Sequence, residues 1–185
     1  MPDESSAVGE LIETVSHPFL KVIREDAKIE KDIEPVTDMR GQNMSVVLKD
    51  CVYDGIVIWA TPENEQEFMA DVNSVLPTRF HPIEKLPVPK EKYRNMKNRC
   101  FLINDEQWLR GVDIKLDEDY KNNNPAYSGL CLLMLSQVSC KRNYDQALGR
   151  VGRYNEKCTR YQFAEPSIEP HDGGKSYLAM QALIN

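Results

Sequence analysis

The sequence has no apolar run near the roughly 18 residues that a membrane-crossing helix requires, so no part of it reads as a transmembrane span. It also lacks any CxxC pair. Its five cysteines, Cys51, Cys100, Cys131, Cys140 and Cys158, are odd in number and widely spaced. They suit reduced thiols in a cytoplasmic or nuclear protein, not a disulfide framework. The three histidines, His17, His81 and His171, lie far from one another and from any cysteine pair, so no metal site is expected. The opening MPDESSAVGE has neither the basic stretch nor the apolar core of a secretory leader. No internal repeat occurs.

What is present suffices for a packed core. The chain has 185 residues, 41% hydrophobic and 28% charged, which fits one ordinary domain with an appendage. The net charge of −6 argues against a generic nucleic-acid coat. The charge is unevenly spread. Between Cys140 and Arg160 stand Lys141, Arg142, Arg150, Arg153, Lys157 and Arg160, against only Asp145 and Glu156. Acidic residues dominate the first forty positions. This asymmetry predicts one positive face aimed at phosphates and an acidic arm with another role, although a solvated charged helix face has the same composition.

Val8, Leu11, Ile12, Val15, Phe19, Val22 and Ile23 recur at helical spacing, interrupted by Pro18. Residues 31–43 carry Pro35 and Gly41 and read as a linker. The division expected is therefore a helical, acidic extension and linker over 1–43, a domain over 44–165, and a tail over 166–185. Within the domain, Gly55 to Ala60 is a continuous β-branched run, as in a strand buried on both faces. Thr61 then reads as an N-cap, Pro62 as the first helical residue, and a helical stripe runs to Leu76. Residues 77–98 read as a surface excursion and 117–128 as a polar loop. Further strands are expected at Cys100 to Ile103, Gly129 to Leu135 and Thr159 to Phe163, with a helix over 142–151. Strands alternating with helices predict an α/β fold with a mostly parallel sheet.

Two segments carry candidate chemistry. On a helix, Gln146, Arg150 and Arg153 fall within about 60° of one another, so an amide and two guanidiniums would project together. Guanidiniums are permanently charged planar forks suited to phosphate oxygens, and Gly149 and Gly152 would let a ligand approach the backbone. A basic helix end stopped by Gly152, with solvated arginines, would read the same way. The second segment, Asn104 to Ile114, follows the strand ending at Ile103, where open α/β sheets bind ligands. Its Arg110, Gly111 and Asp113 offer a cation, a backbone N–H and a carboxylate, or else an ordinary turn with a local ion pair. Tyr154 and Tyr161, interleaved with Arg153 and Arg160, could stack on bases, and Cys158 beside basic residues could have a lowered pKa.

The strand-Thr-helix unit from Ile56 to Leu76, then Arg110-Gly111-Val112-Asp113-Ile114, then Gln146-x-x-Gly149-Arg150-x-Gly152-Arg153 resembles the second RecA-like domain of superfamily 2 helicases. The three segments are similar to that family's motifs IV, V and VI. Motif VI matches at every signature position. Motif V departs from the pattern, with Asn104 where threonine is usual and Leu109 where a small residue is usual. The resemblance implies an α/β RecA-like three-layer sandwich over roughly residues 45–165. It implies that Arg150 and Arg153 reach the γ-phosphate of ATP as arginine fingers and that Gln146 orders the same cleft. Asp113, with Gly149 and Gly152, would lie at the nucleotide, and Thr61, Arg110 and Gly111 at the nucleic-acid backbone.

The family's P-loop and acidic Mg²⁺-binding box are missing. Gly173-Gly174-Lys175-Ser176 imitates a P-loop end, but Glu169 occupies the position of the earlier glycine. ATP with Mg²⁺ would thus be shared with a P-loop-bearing partner domain, and the chain alone is not expected to hydrolyse it. One expectation is the carboxyl-terminal half of a helicase motor that supplies arginines and grips single-stranded RNA or DNA. The other is a non-catalytic helicase-like module for protein–protein interaction or regulation, with the acidic amino-terminal arm contacting a protein partner.

Overall fold

A computed structural model of the chain describes residues 36–110 and 112–167. The helical extension expected before residue 36, most of the tail and Gly111 lie outside the described residues. The elements in order are β1 (Val36–Asp38), α1 (Ser45–Leu48), β2 (Gly55–Trp59), α2 (Glu65–Val75), β3 (Glu84–Lys85) and α3 (Lys90–Tyr93). There follow β4 (Arg99–Ile103), a 3₁₀ turn (Glu106–Leu109), α4 (Glu118–Asn123), β5 (Leu130–Met134), α5 (Lys141–Leu148), a turn at Arg153–Asn155 and β6 (Cys158–Gln162). The strands form one six-stranded sheet in the order β1-β6-β5-β2-β4-β3, and every pairing is parallel. The expected α/β, RecA-like layered fold is the one observed.

Side-chain alternation along the central strands builds two cores. Ile56, Ile58, Cys100, Leu102, Cys131 and Leu133 pack with Val47, Leu48 and Val72 of α1 and α2. Val57, Trp59, Phe101, Ile103, Leu132 and Met134 pack on the other face with Tyr144, Ala147 and Leu148 of α5 and with Val112, Ile114 and Leu116. All five residues of β2 are buried, as are all five of β5, which explains why these strands read as continuous apolar runs.

Several expectations are corrected. The linker over 31–43 contains β1, which extends the sheet by pairing with β6, so the sheet begins before residue 44. At the other end, Ser167 bridges Val138, two residues past the expected domain limit. The second helix starts at Glu65, not beside Thr61, because the Asn64 side chain accepts from the Glu67 N–H at 3.0 Å and supplies the cap. The polar stretch 117–128 contains α4, capped by Asp117, whose side chain accepts from Tyr120 N–H. The excursion over 77–98 holds β3 and α3. Finally, α5 ends at Leu148 with Gly149 as its cap, so it stops short of Arg150.

Candidate nucleic-acid interface

The end of α5 decides the geometry of the basic segment. With Arg150 and Arg153 beyond the helix, they do not share a helical face with Gln146. The chain turns instead through Gly152 (φ +79°), Tyr154 (φ +58°) and Asn155 (φ +59°), all left-handed. Left-handed backbone is uncommon for a bulky residue and is typically held in place at functional turns.

Arg150 points inward. It is 5% exposed, and its Nη1 donates to the Val112 carbonyl at 2.6 Å while its Nε donates to the Gln146 carbonyl at 3.1 Å. Burial, together with repulsion from Arg153, pulls its pKa down to about 10, with Asp113 acting in the opposite direction. It stays charged at neutral pH, but as an internal tie between the motif VI-like and motif V-like segments. Gly152 is also structural. A Cβ there would stand 2.6 Å from Cys158 Sγ and 2.9 Å from Arg160 Nη2, so close packing within the chain, not approach of a ligand, requires glycine. At Gly149 a Cβ would meet only carbonyl oxygens of its own helix at ordinary contact distance. Arg160 is buried and donates to the carbonyls of Leu148 and Val151.

Arg153 and Tyr154 lie outside this packed layer. Both are exposed, Tyr154 at 53%. The Tyr154 hydroxyl donates to Asp113 Oδ1 at 2.6 Å, a bond that holds the phenol protonated and raises its pKa. Lys115 Nζ sits 4.9 Å from the centre of the Tyr154 ring. Asp113 is also paired with Arg94, Nε to Oδ2 at 3.6 Å. Cations from three parts of the chain therefore gather around one carboxylate and one exposed aromatic ring: Arg94 after α3, Lys115 in the motif V-like segment, and Arg150 and Arg153 in the motif VI-like turn. The backbone of Lys115 is bonded to Tyr93 and Met96, just ahead of β4, which sets this cluster toward the amino ends of the strands.

The remaining candidates lie at the opposite end of the sheet. Thr61 follows β2 at its carboxyl end and is exposed, with its N–H donating to Ser136 Oγ at 2.9 Å. The Trp59 indole donates to the Ser136 carbonyl at 3.0 Å. These bonds tie the ends of β2 and β5 together across the crevice in which open α/β sheets bind ligands. Arg110 is exposed just past the 3₁₀ turn that follows β4. Between them, Glu106 accepts from Ser139 N–H, Ser139 Oγ and Asn143 Nδ2. Burial works against its charge, but these donors prevail and its pKa falls below the ordinary carboxylate value. Thr61 is thus about one strand length, roughly 15 Å, from the amino ends of the strands near which Asp113 and Arg153 lie, whereas Arg110 is three residues from Asp113 along the chain.

Among the described residues no helix is long and apolar enough to cross a membrane, and no cluster of metal-ligating side chains occurs. The donor set does not amount to a nucleotide cradle, because Arg150 is spent on backbone carbonyls and Gly152 on packing. It does fit a single phosphate contact, through Arg153.

Of the residues that the sequence singles out, Arg153, Asp113 and Tyr154 come together in this cluster. The sequence does not single out Arg94 and Lys115, which no motif marks and which only the chain's path brings to the site. Tyr161, the other candidate for stacking, is half-buried and engaged edge-on with Tyr53. No protein-family model matches the chain, and no curated protein matches it.

Proposed function

We propose that the chain is a helicase-type second RecA-like domain that grips single-stranded RNA or DNA and has no hydrolytic activity of its own. The observation that carries this reading is the exposed Tyr154 ring, held on a left-handed turn where the motif V-like and motif VI-like segments meet, with Lys115 over it and Arg153 beside it. Single-stranded nucleic acid is bound by such a combination: an aromatic platform that takes a base and cations that take the flanking phosphates. The hydrogen bond to Asp113 fixes the ring while leaving it exposed, so little side-chain entropy remains to be lost on binding.

The test is a titration of labelled single-stranded RNA and DNA at several salt concentrations. Affinity should fall with rising salt as counterions are released. Tyr154→Ala should weaken binding about tenfold, the scale of one lost base stack. Absence of binding at low salt would overturn the proposal and leave the protein-interaction module as the better reading.

A second role rests on the Arg153 guanidinium, which is exposed beside the buried Arg150. It would be offered to the phosphate edge of ATP with Mg²⁺ held by a P-loop-bearing partner, where the bound nucleotide and metal supply the hydrolytic chemistry. In that assembly Arg153→Ala should abolish hydrolysis while leaving the fold of this chain unchanged. An unchanged rate removes the assignment.

A further inference from the structure

The turn that carries Tyr154 leads directly to a second cluster of rings and cations. The backbone N–H of Lys157, three residues on, donates to the Tyr127 hydroxyl at 3.1 Å. Its Nζ lies 4.8 Å from the centre of the Tyr127 ring and donates to the Pro125 carbonyl at 3.2 Å. Lys97, three residues beyond Arg94, places its Nζ 4.5 Å from the centre of the Tyr120 ring. Tyr120 and Tyr127, with Asn123, Asn124 and Ser128, line an open cavity of about 410 Å³ in the connection from α4 to β5. Leu130, the first residue of β5, donates its N–H to the Lys157 carbonyl, which sets the cavity at the amino ends of the strands, as the Tyr154 cluster is. Both tyrosines are held in place. The Tyr120 hydroxyl donates to Asp54 Oδ1 at 2.6 Å, and the Tyr127 N–H donates to the Asn124 carbonyl at 2.8 Å. The lining carries no carboxylate, and Asp54 is engaged by Tyr120 and by the Gly129 N–H.

We propose that this cavity takes a second nucleobase of the single strand that stacks on Tyr154, an inference that rests on the proposed grip on nucleic acid. A base is a flat, neutral ring with hydrogen-bonding edges. The Tyr120 and Tyr127 rings offer it a stacking surface, and the exposed Asn123 amide and Ser128 hydroxyl offer donors and acceptors to its edge. The volume suits one base with its sugar. Lys97 and Lys157 are both exposed and supply positive charge for the flanking phosphates. The arrangement repeats that around Tyr154. The connection from α3 to β4 gives Arg94 to one cluster and Lys97 to the other, and the connection into β6 gives Arg153 to one and Lys157 to the other. Three residues span at most about 10 Å, so the Tyr154 and Lys157 backbones stand within about three stacked nucleotides of each other. One strand can therefore engage both clusters.

The test irradiates the full chain with bound oligouridine or oligothymidine and maps the cross-linked peptides by mass spectrometry. The expected result is cross-linking both at Tyr154 and at Tyr120 or Tyr127. Tyr127→Ala should weaken binding about tenfold, the loss of one stacked base, while the cross-link at Tyr154 persists. Binding with no cross-link at Tyr120 or Tyr127, or an unchanged affinity of Tyr127→Ala, overturns this inference. The Tyr154 grip still stands in that case if Tyr154 is cross-linked. Absence of binding at low salt overturns both. If Tyr127→Ala does not fold, the cross-link map of the unaltered chain decides alone.

Discussion

At the scale of the residue, two arginines that are equivalent in the motif have different roles. Arg150 is an internal strut and Arg153 a surface cation. Truncating Arg150 leaves the Val112 carbonyl without its donor and opens space in a buried layer. Arg150→Ala should therefore cost about 2–3 kcal/mol of stability, as for hydrogen bonds made by charged groups, read by urea unfolding. Arg153→Ala should leave the urea midpoint unchanged and weaken nucleic-acid binding. Equal effects on stability would show that the strut is misassigned. The same reasoning applies to Glu156, whose Oε2 accepts from Leu116 N–H and pairs with Lys121 Nζ at 2.8 Å. Burial raises the Glu156 pKa even against the pull of Lys121. A carboxyl with a raised folded-state pKa contributes stability below its unfolded value, and that contribution is lost as pH rises through the folded value. Lys121→Met strands the buried charge and should cost about 3–5 kcal/mol at neutral pH. The loss should shrink on mild acidification, when Glu156 takes up a proton, and should be largely rescued by Glu156→Gln. A loss that does not change with pH would mean that packing alone was disturbed.

At the scale of the element, the two signature glycines should separate cleanly. Gly149 caps α5 with φ −76°, a value open to any residue, and a Cβ finds room there. Gly149→Ala should be neutral or should stabilise by about 0.5 kcal/mol through the unfolded chain. Gly152 combines φ +79° with a collision against Cys158 and Arg160, so Gly152→Ala should destabilise by about 1–3 kcal/mol. Thermal unfolding of the two variants side by side checks both. Equal behaviour would argue that the turn adapts. The turn after α5 is where propensity and tertiary structure part company. Helical spacing continues to Arg153 on paper, but α5 ends at Leu148, and Tyr144, Ala147 and Leu148 are the residues of the helix buried against the sheet. Likewise α4 was invisible because its residues are polar and turn-prone. Its stability comes from the Asp117 cap and from the Tyr120 hydroxyl, which donates to the buried Asp54 carboxylate at 2.6 Å.

At the scale of the whole molecule, the basic surface and the tied carboxyl ends of the strands sit at opposite ends of one sheet. A protein that grips nucleic acid through Arg94, Lys115 and Arg153 should show a salt slope of about −0.7 per phosphate contacted on single strands. That slope should flatten when Arg94 and Arg153 are both replaced by alanine. Replacing Arg110, which follows the 3₁₀ turn after β4, should leave it unchanged. If instead Arg110→Ala flattens the slope, the gripping surface lies at the carboxyl ends of the strands, as the sequence alone led us to expect.

The amino-acid sequence by itself determined the central strands and the layered class of the fold. A strand buried on both faces must be apolar at every position, and that signal is local and strong. It also determined which residues could carry chemistry, because Gln146, Arg150, Arg153 and Asp113 stand in an ordered pattern. Only the tertiary structure decided which of them face solvent. Arg150 is drawn inward because the Val112 carbonyl, 38 residues away in sequence, lies within reach of its guanidinium. The edge strands β1 and β3 were likewise decided there, since three and two residues hold no periodicity and gain their hydrogen bonds only from neighbours already in place. Arg94 and Lys115 join the site for the same reason. Nothing in their local sequence marks them, and the path of the chain across the sheet face brings them to Asp113 and Tyr154.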